Sequence, residues 1–126
     1  MPLVTLSLHM QHADGFVSSL LNAIHGALMA SGVPADDRFQ RVYRWSEGAA
    51  NMDPLYPDLQ RPRGEHAVLI EILWSVGRSV KVKRALLSDL MQRLSLLGVD
   101  TEQVMVIFQE TQWENWSFGG GRLLHA

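Results

Sequence analysis

The chain has no cysteine among its 126 residues, which excludes disulfides, thiolate metal sites and a cysteine nucleophile. That absence fits a reducing compartment. No segment reaches the ~20 consecutive apolar residues needed to span a bilayer. There is no basic tract and no amphipathic basic helix, and the formal net charge is only −2. Neither nucleic acid nor a membrane surface is therefore an expected partner. Met1 is followed by proline and an alternating stretch, not by basic residues and a long apolar run, so no secretory leader is read and the expected location is cytoplasmic. The histidines His9, His12, His25, His66 and His125 show no ligand spacing on one element, so no metal is expected. His25, beside Ile24, is read as a partly buried packing residue, and His9 and His12 as part of a solvated loop. Gly119, Gly120 and Gly121 do not open a helix after a strand, so no dinucleotide fingerprint exists and no cofactor is expected. Met10, Met29, Met91 and Met105 read as core filler.

What is present is a duplication. Leu3–Leu8 alternates as a strand, and Asp14–Ser31 places Phe16, Val17, Leu20, Leu21, Ile24 and Leu28 along one helical face. Asp14 is read as the helix cap, Gly32 ends the helix, and Arg38–Trp45 is a second strand. A shift of 66 positions, without a gap, carries Leu3, Leu20, Leu28, Gly32 and Val33 onto Leu69, Leu86, Leu94, Gly98 and Val99. The second copy is then strand Ala67–Trp74, helix Ser79–Leu97 and strand Gln103–Glu110. Ser79 is its cap, and Val82, Leu86, Leu90 and Leu94 form its apolar stripe.

Each copy is a β-α-β unit whose crossover helix makes its two strands parallel. The fold class read from this is α/β (α+β), with four strands in one mixed sheet and two helices on one face. A single domain spans residues 1–126, with pseudo-repeats 1–45 and 67–111, a linking loop 46–66 and a C-terminal segment 112–126. Strands such as Ala67–Trp74 are apolar on both faces, so the second sheet face is expected to be buried by self-association. The linking loop, beside strand ends, reads equally as a connector and as a pocket wall.

Proline is the only residue whose free terminus is a secondary amine, and Pro2 opens the first strand. Met1 is expected to be removed, because small second residues permit it. An α-amino group titrates near ~7.7–8.0 and burial disfavours its charged form, so Pro2 would suit a general base near neutral pH. Residue type alone favours the plainer role of opening an edge strand. The position matching Pro2 in the second copy is Val68, which is internal, so any amine chemistry belongs to one copy.

Four segments keep a recognisable order and spacing: Met1-Pro2-Leu3, Gly32-Val33-Pro34-Ala35-Asp36-Asp37-Arg38-Phe39-Gln40, Gly77-Arg78-Ser79, and Glu114-Asn115-Trp116-Ser117-Phe118-Gly119. On these the chain resembles the tautomerase superfamily, and within it the malonate semialdehyde decarboxylase-like branch of fused tandem units. The resemblance implies a tautomerase/MIF-like fold, a cofactor-independent enzyme, and a homotrimer with sites at subunit contacts. It implies Pro2 as the acid–base group, Arg78 as the clamp on a substrate carboxylate, Asp37 as a carboxylate near the proline, and Trp116 and Phe118 as an aromatic wall. The chemistry of Arg78 agrees, since a guanidinium fork grips carboxylates bidentately and the start of a helix favours anions. Asp37 reads equally as a turn residue or a partner of Arg38. Trp116 and Phe118 read equally as packing against a neighbouring subunit.

One departure stands out. The decarboxylases carry a second arginine two residues before the one matched by Arg78, and this chain has Val76 there. That favours keto–enol tautomerisation of a small α-keto or enol carboxylic acid over decarboxylation. A decarboxylase or hydratase using a protonated Pro2 with Asp37, and a non-catalytic trimeric binding protein, are the alternatives.

Overall fold

Alternating apolar residues over Leu3–His9 form β1, with Val4, Leu6 and Leu8 turned into the core. The computed structural model describes all residues, Met1–Ala126. Helix α1 (Asp14–Ala30) and strand β2 (Phe39–Trp45) complete the first unit. Strand β3 (Val68–Ser75), helix α2 (Val80–Leu96) and strand β4 (Val104–Thr111) form the second, and short 3-10 turns cover Thr101–Gln103 and Trp113–Asn115.

The sequence offset recurs in the backbone. Leu3 pairs with Phe39 in the first unit, and Leu69 pairs with Met105 in the second. Both helices end alike: Val33 N–H donates to Leu28 O, and Val99 N–H to Leu94 O, each at 3.1 Å. This 6→1 closure needs a left-handed residue, which Gly32 (φ 110°) and Gly98 (φ 84°) provide without a Cβ clash.

The strand order is β2-β1-β3-β4, with parallel outer pairs and an antiparallel centre in which Leu3 faces Leu73 and Leu8 faces Val68. The starts of β1 and β2 therefore share one sheet end with the finishes of β3 and β4. That geometry positions the site. Helices α1 and α2 cover one face, where Leu20, Ile24, Leu28, Leu86, Leu90 and Leu94 meet Leu6, Ile70, Ile72 and Trp74. Each such side chain contributes about 1.5–3 kcal/mol when fully buried.

Several local expectations shift. Ala13, not Asp14, occupies the N-cap of α1, without a side-chain cap bond, and Asp14 instead pairs with Arg44 at 2.7 Å. Ser79 does cap α2, accepting from Val82 N–H at 3.2 Å. Val82 is exposed, so the stripe of α2 reduces to Leu86, Leu90 and Leu94. Met10 and Met29 are also exposed, and Met91 is the methionine that packs on the core. His25 is buried and bonded to Ala35 O at 2.9 Å. The bare sheet face is mixed rather than apolar. Arg41 and Glu71 flank Thr5 across it, while Tyr43 and Ile107 stand exposed. No helix is long and apolar enough to cross a membrane.

Candidate active site at one end of the sheet

The first strand brings its own beginning to the finish of β3. Pro2 is buried there, and the Met1 ammonium lies 3.1 Å from Asp37 Oδ2, with both side chains largely shielded from water. Asp37 is held in a turn by its N–H donating to Pro34 O at 3.1 Å. It does not pair with Arg38, whose guanidinium instead reaches Asn22 at 2.7 Å and Gln40 at 3.0 Å.

Arg78 follows β3 and precedes the cap of α2. Its guanidinium rests 4.4 Å over the Trp74 ring, and one nitrogen donates to Ser75 O at 2.7 Å. Of its five donors only that one meets a protein acceptor, so four remain for a ligand. Burial pulls its pKa down, and the charges of Glu110 and Asp37 oppose that pull. Arg78 and Asp37 thus belong to one electrostatic site. Glu110 itself pairs with Lys83.

The C-terminal segment folds back over the same end. Trp116 donates its indole N–H to Ser75 Oγ at 3.0 Å, and Trp113 donates to Val76 O at 3.2 Å. Trp116 stacks on Phe118 with centroids 5.7 Å apart and planes 4° apart, and Phe118 lies 5.7 Å from Phe39. Five groups thus gather around the start of β1: Pro2, Asp37, Arg78, Trp116 and Phe118.

Sequence reasoning missed the residues beneath them. Ser75, fully buried, accepts from Arg78 through its carbonyl and from Trp116 through its hydroxyl. Trp74 and Phe39 were read only as strand residues. The signal available was position: Trp74 and Ser75 lie three and four residues before Arg78, on the strand end that delivers it. The linking loop does wall a cavity, through Pro62, Gly64 and Glu65, but at the opposite sheet end.

The arrangement offers a cation with free donors, a carboxylate, and flat aromatic walls. It suits a small planar carboxylate that undergoes proton transfer. Comparison with known proteins agrees in kind. The tautomerase enzyme family model (Tautomerase_2) matches residues 37–119. The chain is 32% identical over 124 residues to Probable tautomerase YusQ of Bacillus subtilis (strain 168), covering 97% of this chain and 96% of that one. It superposes with TM-score 0.87 and 30% identity on a malonate semialdehyde decarboxylase solved in wild-type, mutant and inactivated forms, covering 96% and 93% of the two chains. That work concerns decarboxylase and hydratase activities. A fused 4-OT solved as a symmetric trimer shares the fold, with TM-score 0.76, 20% identity and coverage of 96% and 94%. On family model, sequence and fold together, this chain belongs to the tautomerase superfamily, in its malonate semialdehyde decarboxylase-like branch.

Proposed function

We propose that the chain is a keto–enol tautomerase acting on small α-keto or enol carboxylic acids, with Pro2 as general base and Arg78 as the carboxylate clamp. One observation carries this reading: the chain's opening residues meet a shielded carboxylate, at 3.1 Å from the Met1 nitrogen, beside a guanidinium with unused donors. While Met1 remains, the Pro2 nitrogen is an amide without a usable lone pair. Removal of Met1 is therefore part of the proposal. It frees the Pro2 imino nitrogen about one residue's span, ~3.8 Å, from the present terminus.

The substrate carboxylate is gripped by the free donors of Arg78, and its conjugated plane lies against Trp116 and Phe118. Pro2, as the neutral amine, takes a proton from one carbon or oxygen and returns it to another. Burial and the like charge of Arg78 favour the neutral amine, whereas Asp37 favours the protonated one. A positioned acid–base group contributes ~10²–10⁴-fold, and orientation by Arg78 supplies much of the remainder. No cofactor enters this scheme. A homotrimer is part of the same reading: it would cover exposed Tyr43 and Ile107, and a neighbouring subunit would close a site that one chain leaves open.

Asp37 itself favours a second reading. A carboxylate this close to the terminal nitrogen pairs with its ammonium form, an arrangement that suits decarboxylation or hydration of a semialdehyde acid. Val76 weighs against it by leaving one arginine where that chemistry would use two.

The experiment is to assay the wild type, Pro2→Ala and Arg78→Ala with phenylenolpyruvate, 2-hydroxymuconate and malonate semialdehyde, after intact mass spectrometry of the mature chain. Loss of tautomerisation in both variants, with Met1 absent, is the expected result. A wild type inactive on both enols, or variants that keep full activity, sinks the tautomerase reading. A Pro2 pKa above neutral, from the pH–rate profile, transfers the assignment to the decarboxylase or hydratase.

A further inference from the structure

The duplication places a second constellation at the opposite end of the sheet. Shifted by 66 positions, Pro2 corresponds to Val68, Asp37 to Gln103 and Arg78 to His12. All three counterparts line one cavity of about 570 Å³. That volume lies within the ~300–1,000 Å³ typical of small-molecule sites. Phe16, Pro62 and Val99 give it apolar walls, and the His12 ring sits 5.3 Å from Phe16 and 5.7 Å from His66.

The polar groups around this cavity are mostly satisfied by the protein. Gln103 accepts from Gly64 N–H at 3.0 Å and donates to Pro62 O at 2.7 Å. Asp100 receives two bonds from Arg61, at 3.0 and 2.7 Å. His12 Nε2 is the exception, being shielded from solvent and without a partner. The Glu65 backbone carbonyl favours a proton on the ring, and Nε2 is left without a partner. Burial lowers the pKa of the imidazole, and in a neutral ring protonated at Nδ1 the Nε2 atom is an acceptor. No lysine or arginine lines the cavity, whereas Glu65 and Asp100 do, so an anion finds no clamp.

We infer that this cavity is a second small-molecule site, a non-catalytic counterpart of the first, which takes a flat uncharged aromatic molecule donating an O–H to His12 Nε2. Val68 has no free amine, so no proton shuttle exists there. The two ends of the sheet differ in ligand class: a carboxylate at the Arg78 end, a phenol at the His12 end.

The test is binding alone, so its outcome is independent of what Pro2 catalyses. Phenol, anisole and benzoate are titrated into the full chain while the His12 imidazole signals are followed by NMR. Phenol should shift them saturably, anisole, which lacks the O–H, should bind about tenfold more weakly, and benzoate should leave them unmoved. His12→Phe should weaken phenol about tenfold and leave anisole unchanged. Equal binding of phenol and anisole by the wild type overturns the inference, whether or not the variant folds. So does a phenol response confined to the Arg78 end, or no saturable response at all.

Discussion

The Arg78 guanidinium lies 4.4 Å above the Trp74 ring, and Trp74 in turn stacks 5.1 Å from Phe108 with planes 14° apart. The buried indole is a platform for the cation. It holds the guanidinium from one side, worth about 0.5–2 kcal/mol, while the donors not spent on Ser75 remain for a carboxylate. Trp74 thereby links the helix-covered core to the site at the strand end.

Arg78→Ala should lower kcat/KM on an enol carboxylate by roughly 10²-fold or more, the loss of about 3 kcal/mol from charge-assisted bonds. Its effect on folding should be near 1 kcal/mol, since Arg78 makes a single hydrogen bond and is only half-buried. Steady-state kinetics and urea unfolding of the same preparation separate the two effects.

Ser75→Ala should act on the aromatic wall rather than on the proton transfer. The hydroxyl that accepts from the Trp116 indole is lost, while the carbonyl that accepts from Arg78 stays. The expected result is a severalfold rise in KM with kcat nearly kept, and about 1 kcal/mol of lost stability. A fall in kcat with KM unchanged would contradict this division of labour.

Leu90, with 0% exposure, sits where α2 meets the sheet, and Leu90→Ala should cost about 2–5 kcal/mol. Leu96, at 83% exposure on the same helix, should tolerate Ala within about 0.5 kcal/mol. Chemical denaturation midpoints would show the contrast, and equal losses would refute the assigned packing.

Burial lowers the His12 pKa, assisted by the positive charges of His66, His9 and Arg44 and opposed by the Glu65 carbonyl. The folded chain then binds fewer protons than the unfolded one, whose imidazole titrates near ~6.5. His12 therefore contributes stability above about pH 6.5, lost as pH falls through its lower folded value. Thermal melts from pH 7.5 to 5 should fall less steeply for His12→Gln than for the wild type.

Much of this architecture was legible because duplication writes the same pattern twice. Leu20, Ile24 and Leu28 announce α1, and Leu86, Leu90 and Leu94 announce α2, through one spacing rule. The parallel direction of each outer pair followed from its crossover helix, whereas the register that sets Leu3 against Phe39 and Leu69 against Met105 did not. Asp14 looked like a cap because its type suits one, but Arg44 on β2 draws its carboxylate outward. Met29 looked like filler because hydrophobicity says nothing of which helix face a neighbour covers, and Met10 because it says nothing of where a strand gives way to an exposed turn. At the site, Asp37 and Arg78 were visible as chemistry, whereas Ser75 and Trp74 were not. Their roles depend on which atoms a strand end presents, and that is set by contacts distant in sequence.

The antiparallel centre, with Leu3 facing Leu73 and Leu8 facing Val68, makes the two halves nearly interchangeable about the middle of the sheet. A circular permutant opened ahead of Val68, with Ala126 tethered to Met1, would keep every strand pairing yet relocate its leading amine beside His12. Which hollow receives a reactive nitrogen is thus decided by where the polypeptide happens to be cut, and not by anything intrinsic to either half.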